Sequence, residues 1–236
     1  MTLSPARATA LRVFRYAMFF DGVDDLVEVP HSSSISLTQA ATVIAWVWRQ
    51  SMYEDLLVVK GSIGRRSYRL FLYARNIGYP RFEIFTTDNI AYYATWFVPL
   101  PIGMWHFLAG TFDGRYVKIY VNAELKDIID IGNEVLMREN TEPLFIGRAN
   151  GVSFYGYISE VLIYSRALAE SEILWNYKYP WNPVRNGLVL MLYTHPDYVK
   201  DIDGDGVQEW IDLSGYNNHG KIYGATLVEV AKTPTR

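Results

Sequence analysis

Residues 201–212 read DIDGDGVQEWID and place five carboxylates in twelve positions with no basic residue among them. Like charges this close repel unless water or a cation separates them. Asp201, Asp203 and Asp205 fall at positions 1, 3 and 5 of an EF-hand-type loop, with Gly206 at the sharp turn. Val207 then offers its carbonyl, Glu209 stands at position 9 and Asp212 at position 12. Calcium suits this pattern because it takes about six to eight oxygens, which alternate residues of a tight turn bring to one point. Position 12 departs from the helix–loop–helix pattern, since aspartate is shorter than the usual glutamate. The flanks, THPDYVK and LSGYNNHG, are not long amphipathic helices. The expected calcium is therefore structural, and not the trigger of an opening groove. The competing reading is a solvated acidic turn.

Catalytic groupings are sparse. A glycosidase needs two carboxylates about 5 to 9 Å apart, which a strand supplies at i and i+2 or i+4. RFEIFTTD offers Glu83 and Asp88, five apart, and YISEVLIY has only Glu160. The four histidines are scattered: His31 and His195 adjoin prolines, and His106 alternates in a strand. His219 lies in an NNHG turn, where a structural hydrogen bond is expected. No Ser-His-Asp grouping and no phosphate-cradling glycine loop stands out, so the chain reads as non-catalytic.

The elements that must hold these residues read as strands. Eighteen tyrosines, eleven phenylalanines and seven tryptophans favour β structure. Short, partly alternating runs at 42–50, 55–61, 68–74, 81–87, 105–112, 115–124, 143–148 and 155–165 are divided by Gly, Asn, Asp or Pro. This spacing predicts an antiparallel sandwich or barrel. FDGR at 112–115 is a hairpin turn. RALAESEILWNYKY places Leu168, Ile173, Leu174 and Tyr177 at helical intervals, with Glu170 and Glu172 near the positive end, and predicts one short helix near 167–178. Two prolines in YPWNPVRNG stop it. The apolar LVLMLY at 188–193 follows, and HGKIYGATLVEV supplies one or two last strands.

AMFFDGVDDLVEVPHSSSISLTQAATVIAWV (17–47) resembles the opening of a laminin-G-like domain of the concanavalin A-like lectin/glucanase superfamily. WHFLAGTFDGRYVKIYVNAEL, PLFIGRANGVSFYGYISEVLIYSRALAESEI and DLSGYNNHGKIYGAT are similar to its later signatures. The resemblance implies an all-β, two-sheet jelly-roll sandwich. In the usual order of this family the GLVLMLY…DLSGYNNHGKIYGA element precedes FDGVDD, and here it comes last. The chain therefore resembles a circularly permuted domain, or a unit cut from an array. A single domain over 1–236 is expected, with 1–16 as an arm. Residues 187–230 then complete the sandwich of their own chain or of a neighbour. The resemblance also implies a second, weaker calcium candidate at the rim, Asp21 with Glu160, beside Asp24 and Asp25. Its competitor is an Asp-Gly turn plus one polar partner for a buried backbone group.

With half its residues apolar, a fifth charged and a formal net charge of −3, the chain offers no basic footprint for nucleic acid. Arg7, Arg12 and Arg15 read as a solvated face. No apolar run approaches the roughly 18 residues of a membrane span, and the N-terminus lacks the layout of a secretory signal. With no cysteine there is no disulfide or thiolate chemistry. Two functions remain. One is a lectin-like module for a glycan or surface glycoprotein, using Tyr73, Asn76, Tyr79, Tyr92, Tyr93, Trp96, Asn150 and Tyr155, at an extracellular surface. The other is a structural subunit of a virion, filament or surface layer whose partners are copies of itself. The style of the tail resembles chains of hyperthermophilic archaea and their viruses.

Overall fold

The computed structural model describes residues 14–51, 55–74 and 76–230. The expected N-terminal arm lies almost wholly outside them. The strands are β1 (Tyr16–Asp21), β2 (Leu26–Val29), β3 (Ala41–Arg49), β4 (Asp55–Lys60), β5 (Tyr68–Tyr73), β6 (Tyr79–Phe85) and β7 (Ala91–Thr95). They continue with β8 (Trp105–Phe112), β9 (Tyr116–Val121), β10 (Glu124–Asp130), β11 (Leu144–Ile146), β12 (Arg148–Ala149), β13 (Val152–Ser153) and β14 (Tyr155–Tyr164). After helix α1 (Glu170–Lys178) come β15 (Leu188–Tyr193), β16 (Val199–Lys200), β17 (Glu209–Trp210), β18 (Gly220–Tyr223) and β19 (Thr226–Glu229).

Two antiparallel sheets face each other. One runs β10-β9-β8-β3-β14-β1-β19, with β15 also on β14, and the other runs β16-β17-β18-β2-β11-β4-β5-β6-β7. The ten-residue β14 serves two partners on one edge: β1 along 155–158 and β15 along 160–164. A bulge between Ile158 and Glu160 marks the change. There Ser159 Oγ and Thr194 Oγ1 both donate to the Tyr16 carbonyl, at 3.1 and 2.6 Å. All the last strands thus join sheets begun near the N-terminus.

The core between the sheets includes Met18, Phe20, Val43, Val47, Leu70, Phe82, Ile84, Leu108, Ile158, Leu190 and Trp210. The first sheet is also covered outside, where Trp46, Phe107, Tyr120, Leu162 and Tyr164 pack under Ile173 of α1. Trp46 stacks on Tyr177, with ring centroids 5.4 Å apart. Phe14 closes this layer over Trp46 and Trp105, each at 5.3 Å. Burial on both faces explains why β3 and β8 are nearly continuous apolar runs.

The helix starts later than its periodicity predicts. Leu168 is buried but precedes the first turn, and Leu174 is 41% exposed. The carboxylate of Glu172 takes the Ala169 N–H at 2.9 Å and the guanidinium of Arg166 at 2.6 and 2.8 Å, which fixes the start. Residues 115–124 are likewise not one strand. Asn122 and Ala123, at φ 53° and 64°, turn β9 into β10, as a two-residue hairpin loop requires. At the FDGR turn, Asp113 Oδ1 accepts from Arg115 N and Tyr116 N at 3.0 and 2.7 Å.

Candidate functional site

The acidic loop lies between β16 and β17, and its carboxylates converge. Carboxylate oxygens of Asp201, Asp203 and Glu209 lie within 4.8 Å of one another. Asp201 accepts from Gly204 N and Gly206 N at 2.7 and 3.0 Å, and Asp203 Oδ1 from Asp205 N at 3.1 Å. Asp205 Oδ1 accepts from Val207 N at 2.8 Å, and buried Glu209 accepts from Ile202 N at 3.0 Å. Gly206 sits at φ +87°, which side chains avoid.

Two features depart from the sequence reading. Asp212 is not part of this cluster. Its Oδ1 accepts from Met191 N and Ser214 N at 2.8 and 2.9 Å, and its Oδ2 from Ser214 Oγ and Asn218 N at 2.7 and 2.9 Å. Four donors occupy both oxygens and leave no lone pair for a cation. Its own N–H donates to His219 Nδ1 at 3.0 Å, the structural hydrogen bond expected of that histidine. The second departure is Lys221 of β18, whose ammonium enters the loop. It donates to Asp205 Oδ2 and, at 3.2 Å, to Asp203 Oδ2, and stands 4.0 Å from Glu209 Oε1. These bonds hold Asp205 below the usual carboxylate range and raise Lys221.

Asp21 and Glu160 do not meet. Asp21 pairs with Tyr155, whereas Glu160 pairs with Trp46 and Tyr193. From position 155 to 160 the strand runs about 16 Å. Asp21 instead gathers with Asp24 and Asp25. Asp25 Oδ2 accepts from Asp21 N at 2.8 Å, and burial pushes its carboxyl up. Glu160 is wholly buried, and neither oxygen has a hydrogen-bond partner among the described residues. Burial raises its pKa well above the usual range, which favours the protonated form. The indole Nε1 of Trp46, its cross-strand partner, is unpaired as well.

The aromatic candidates divide by strand parity. On β5 to β7 the side chains of Leu70, Leu72, Phe82, Ile84 and Ala94 enter the core, so Arg69, Phe71, Tyr73, Arg81, Glu83, Tyr93 and Thr95 share the outer face. Tyr79 belongs to that face and meets exposed Phe97 edge-on at 5.5 Å. Tyr92 and Trp96 pack against the core instead. Asn76 and Asn150 are turn residues at φ 67° and 57°, and Asn150 Oδ1 accepts from Ile63 N at 3.2 Å. Tyr155 lies on the other sheet, edge-on to Phe19 at 6.1 Å. Tyr73, Tyr79 and Tyr93 therefore form one surface and the other five candidates do not join it. Sequence reasoning missed Arg81, whose guanidinium lies 3.5 Å from the Tyr73 ring centroid and 4.0 Å from that of Tyr93. Its only sequence signal is its alternation with Phe82 and Glu83.

Glu83 is no free acid, because Arg69 of β5 binds it. His106 is buried, and desolvation holds its pKa down to about 4, with Nε2 at 3.0 Å from the Pro101 carbonyl. Among the described residues no helix is long and apolar enough to cross a membrane.

The fold defines an antiparallel sandwich with one sheet face sealed by a helix and part of the other left open. The chain belongs to the concanavalin A-like lectin/glucanases superfamily, whose family model matches residues 21–174. No curated protein sequence matches it. It is similar in fold to a putative carbohydrate binding protein from Bacteroides ovatus, with TM-score 0.70 and 18% identity over 92% of this chain. The chain spans 61% of that protein's length. Domain 4 of an extracellular arabinanase from Geobacillus stearothermophilus, in complex with arabinotriose, gives TM-score 0.52 and 19% identity over 67% of this chain and 74% of that one. Mouse laminin alpha1 domains LG4-5 give 0.53 and 15% over 67% and 45%.

Proposed function

We propose that this chain is a non-catalytic glycan-binding module whose binding face is the patch of aromatic rings on the outer side of β5, β6 and β7. The observation that carries this reading is the grouping of Tyr73, Tyr79, Tyr93 and Phe97, respectively 38% exposed, half-buried, 44% and 68% exposed, along one strand face. Aromatic rings held on a rigid sheet stack on the apolar faces of pyranoses at small entropic cost. The likeness in fold to the Bacteroides carbohydrate binding protein and to the Geobacillus domain in complex with arabinotriose supports the same reading. The state of the two strand carboxylates supports the non-catalytic reading. Glu83 is neutralised by Arg69, and Glu160 is wholly buried between its cross-strand partners Trp46 and Tyr193, so neither is offered to an open cleft.

Calcium belongs to the proposal as a structural ion. Asp201, Asp203 and Glu209 fit a hard cation in donor chemistry, with Asp205 beside them and the Val207 carbonyl as a further oxygen. Lys221 must then withdraw, because an ammonium and a calcium ion compete for the same oxygens. The alternative of a self-associating subunit drew on the tail. Here β15 to β19 pair with strands of their own chain, which favours the binding module.

A glycan array probed with the intact protein, with and without chelator, tests the proposal. Tyr93→Ala and Tyr79→Ala are each expected to weaken binding about two- to tenfold, since stacking rings contribute roughly 0.5–1.5 kcal/mol beyond area burial. Chelator should act chiefly through stability. Binding that persists in the Tyr79/Tyr93 double variant would remove this face from consideration.

A further inference from the structure

We propose that Arg81 makes the open face selective for carboxylated sugars, with its guanidinium fork receiving the carboxylate of a uronic-acid residue between Tyr73 and Tyr93. The inference rests on the glycan-binding reading and names its ligand class.

Arg81 is only 6% exposed because the rings of Tyr73 and Tyr93 enclose its guanidinium. Its Nε donates to Thr95 Oγ1 at 2.7 Å, which fixes the plane of the group. The two terminal nitrogens bond no acceptor among the described residues. They are also absent from the buried polar atoms that lack partners, whereas Nε of Arg148 is one of these. The free edge of the fork therefore reaches solvent. The nearby carboxylate is spent, since Glu83 is ion-paired with Arg69 across the strands. Among the described residues no acid lies within ion-pair distance of Arg81, and Glu83, which Arg69 binds, acts on it only through space. A planar fork with one edge fixed and the other open matches a carboxylate through two parallel hydrogen bonds. The tyrosines that immobilise it, at 38% and 44% exposure, still have ring surface for a pyranose. The arrangement resembles a pre-organised receptor more than a structural ion pair, because no acid among the described residues is ion-paired with it.

The ligand can be varied without touching the protein. Titration of the intact chain with oligogalacturonate, its methyl ester and a neutral hexose oligomer is the primary experiment. The free acid is expected to bind about ten- to hundredfold tighter than the ester, as for a hydrogen bond to a charged group, and to weaken with salt. Arg81→Lys, which keeps charge but loses the fork, should lose most of that preference. Arg81→Met should lose all of it. If Arg81→Met fails to fold, the acid-to-ester ratio of the unaltered protein still decides. Equal binding of acid and ester overturns the role of Arg81 and leaves the glycan reading standing. Binding of none of the three, with an empty glycan array, defeats both. Preference for a sulfated neutral galactan over the uronate, or equal capture of a poly-glutamate peptide, overturns the assignment to carboxylated sugars.

Discussion

Two acids show how burial and partners divide one chemistry into separate roles. Glu160 is sealed within the outer layer of the first sheet and carries a proton that its burial favours. In the unfolded chain the same group ionises near pH 4.3. The folded state thus binds more protons above that pH, and stability must fall as pH rises until the folded pKa is reached, by about 1.4 kcal/mol per pH unit. Glu160→Gln removes the titration. Thermal unfolding should show the variant more stable than the parent at pH 8 and nearly equal at pH 4. Parallel pH profiles for the two proteins would mean that Glu160 is ionised and paired. Asp212 does the opposite and serves entirely through its charge, tying β15 to the turn at 214–218 through four accepted bonds. Asp212→Ala should cost about 2–4 kcal/mol in denaturant unfolding, by the same amount with calcium and with chelator. The acid at position 212 was visible in the sequence. Its direction was not, because the donor at Met191 comes from β15, a distant strand.

At the scale of the element, the acidic loop holds its pattern locally and receives its counter-charge from elsewhere. Alternate aspartates and Gly206 shape it through side-chain bonds to its own backbone. These are short-range and were legible in residues 201–209. Lys221 arrives because β18 pairs with β17, register Glu209 to Lys221. If calcium binds, a differential scan should show a higher Tm with calcium than with chelator, with about 2.7 kcal/mol at a hundredfold excess over Kd. Asp203→Ala should abolish the difference and Lys221→Met should enlarge it by removing the competing ammonium. Identical melts in calcium and chelator, with metal analysis showing complete removal, would leave Lys221 as the only cation of this loop. The aromatic face has a similar history. Alternation placed Tyr73, Tyr79 and Tyr93 on one side of their strands, but only the register Phe71 to Arg81 and Arg81 to Thr95 assembled the guanidinium between rings.

At the scale of the whole molecule, residues 188–229 supply strands to both sheets and side chains to the core. Val189, Leu190, Leu192 and Trp210 lie in the central cluster, all at most 3% exposed. Burial of each large apolar side chain contributes about 1.5–3 kcal/mol, so their joint loss is comparable to the net stability of a typical domain. A chain ending at Asn186 should therefore be insoluble or molten, as judged by near-UV circular dichroism and light scattering. A truncated chain that stays folded, monomeric and equally heat-stable would place residues 187–236 outside the sandwich. The same topology accounts for the unusual order of sequence elements. Strand β19 lies beside β1 and β18 beside β2, so the two ends of the described chain are neighbours in both sheets.

Strand content, the hairpin at Asp113, the single helix and the loop spacing were determined by sequence alone, because each depends on residues within a few positions of one another. Side-chain period, turn backbone and dipole placement are short-range effects. Tertiary structure decided which acids meet. It separated Asp21 from Glu160, committed Asp212 to β15 and brought Lys221 to Asp203 and Asp205. It also decided which tyrosines share a surface and that Arg81 lies between two of them. Those outcomes depend on strand register and on which face of each sheet is covered, and both are set by pairing between distant segments that no local pattern encodes.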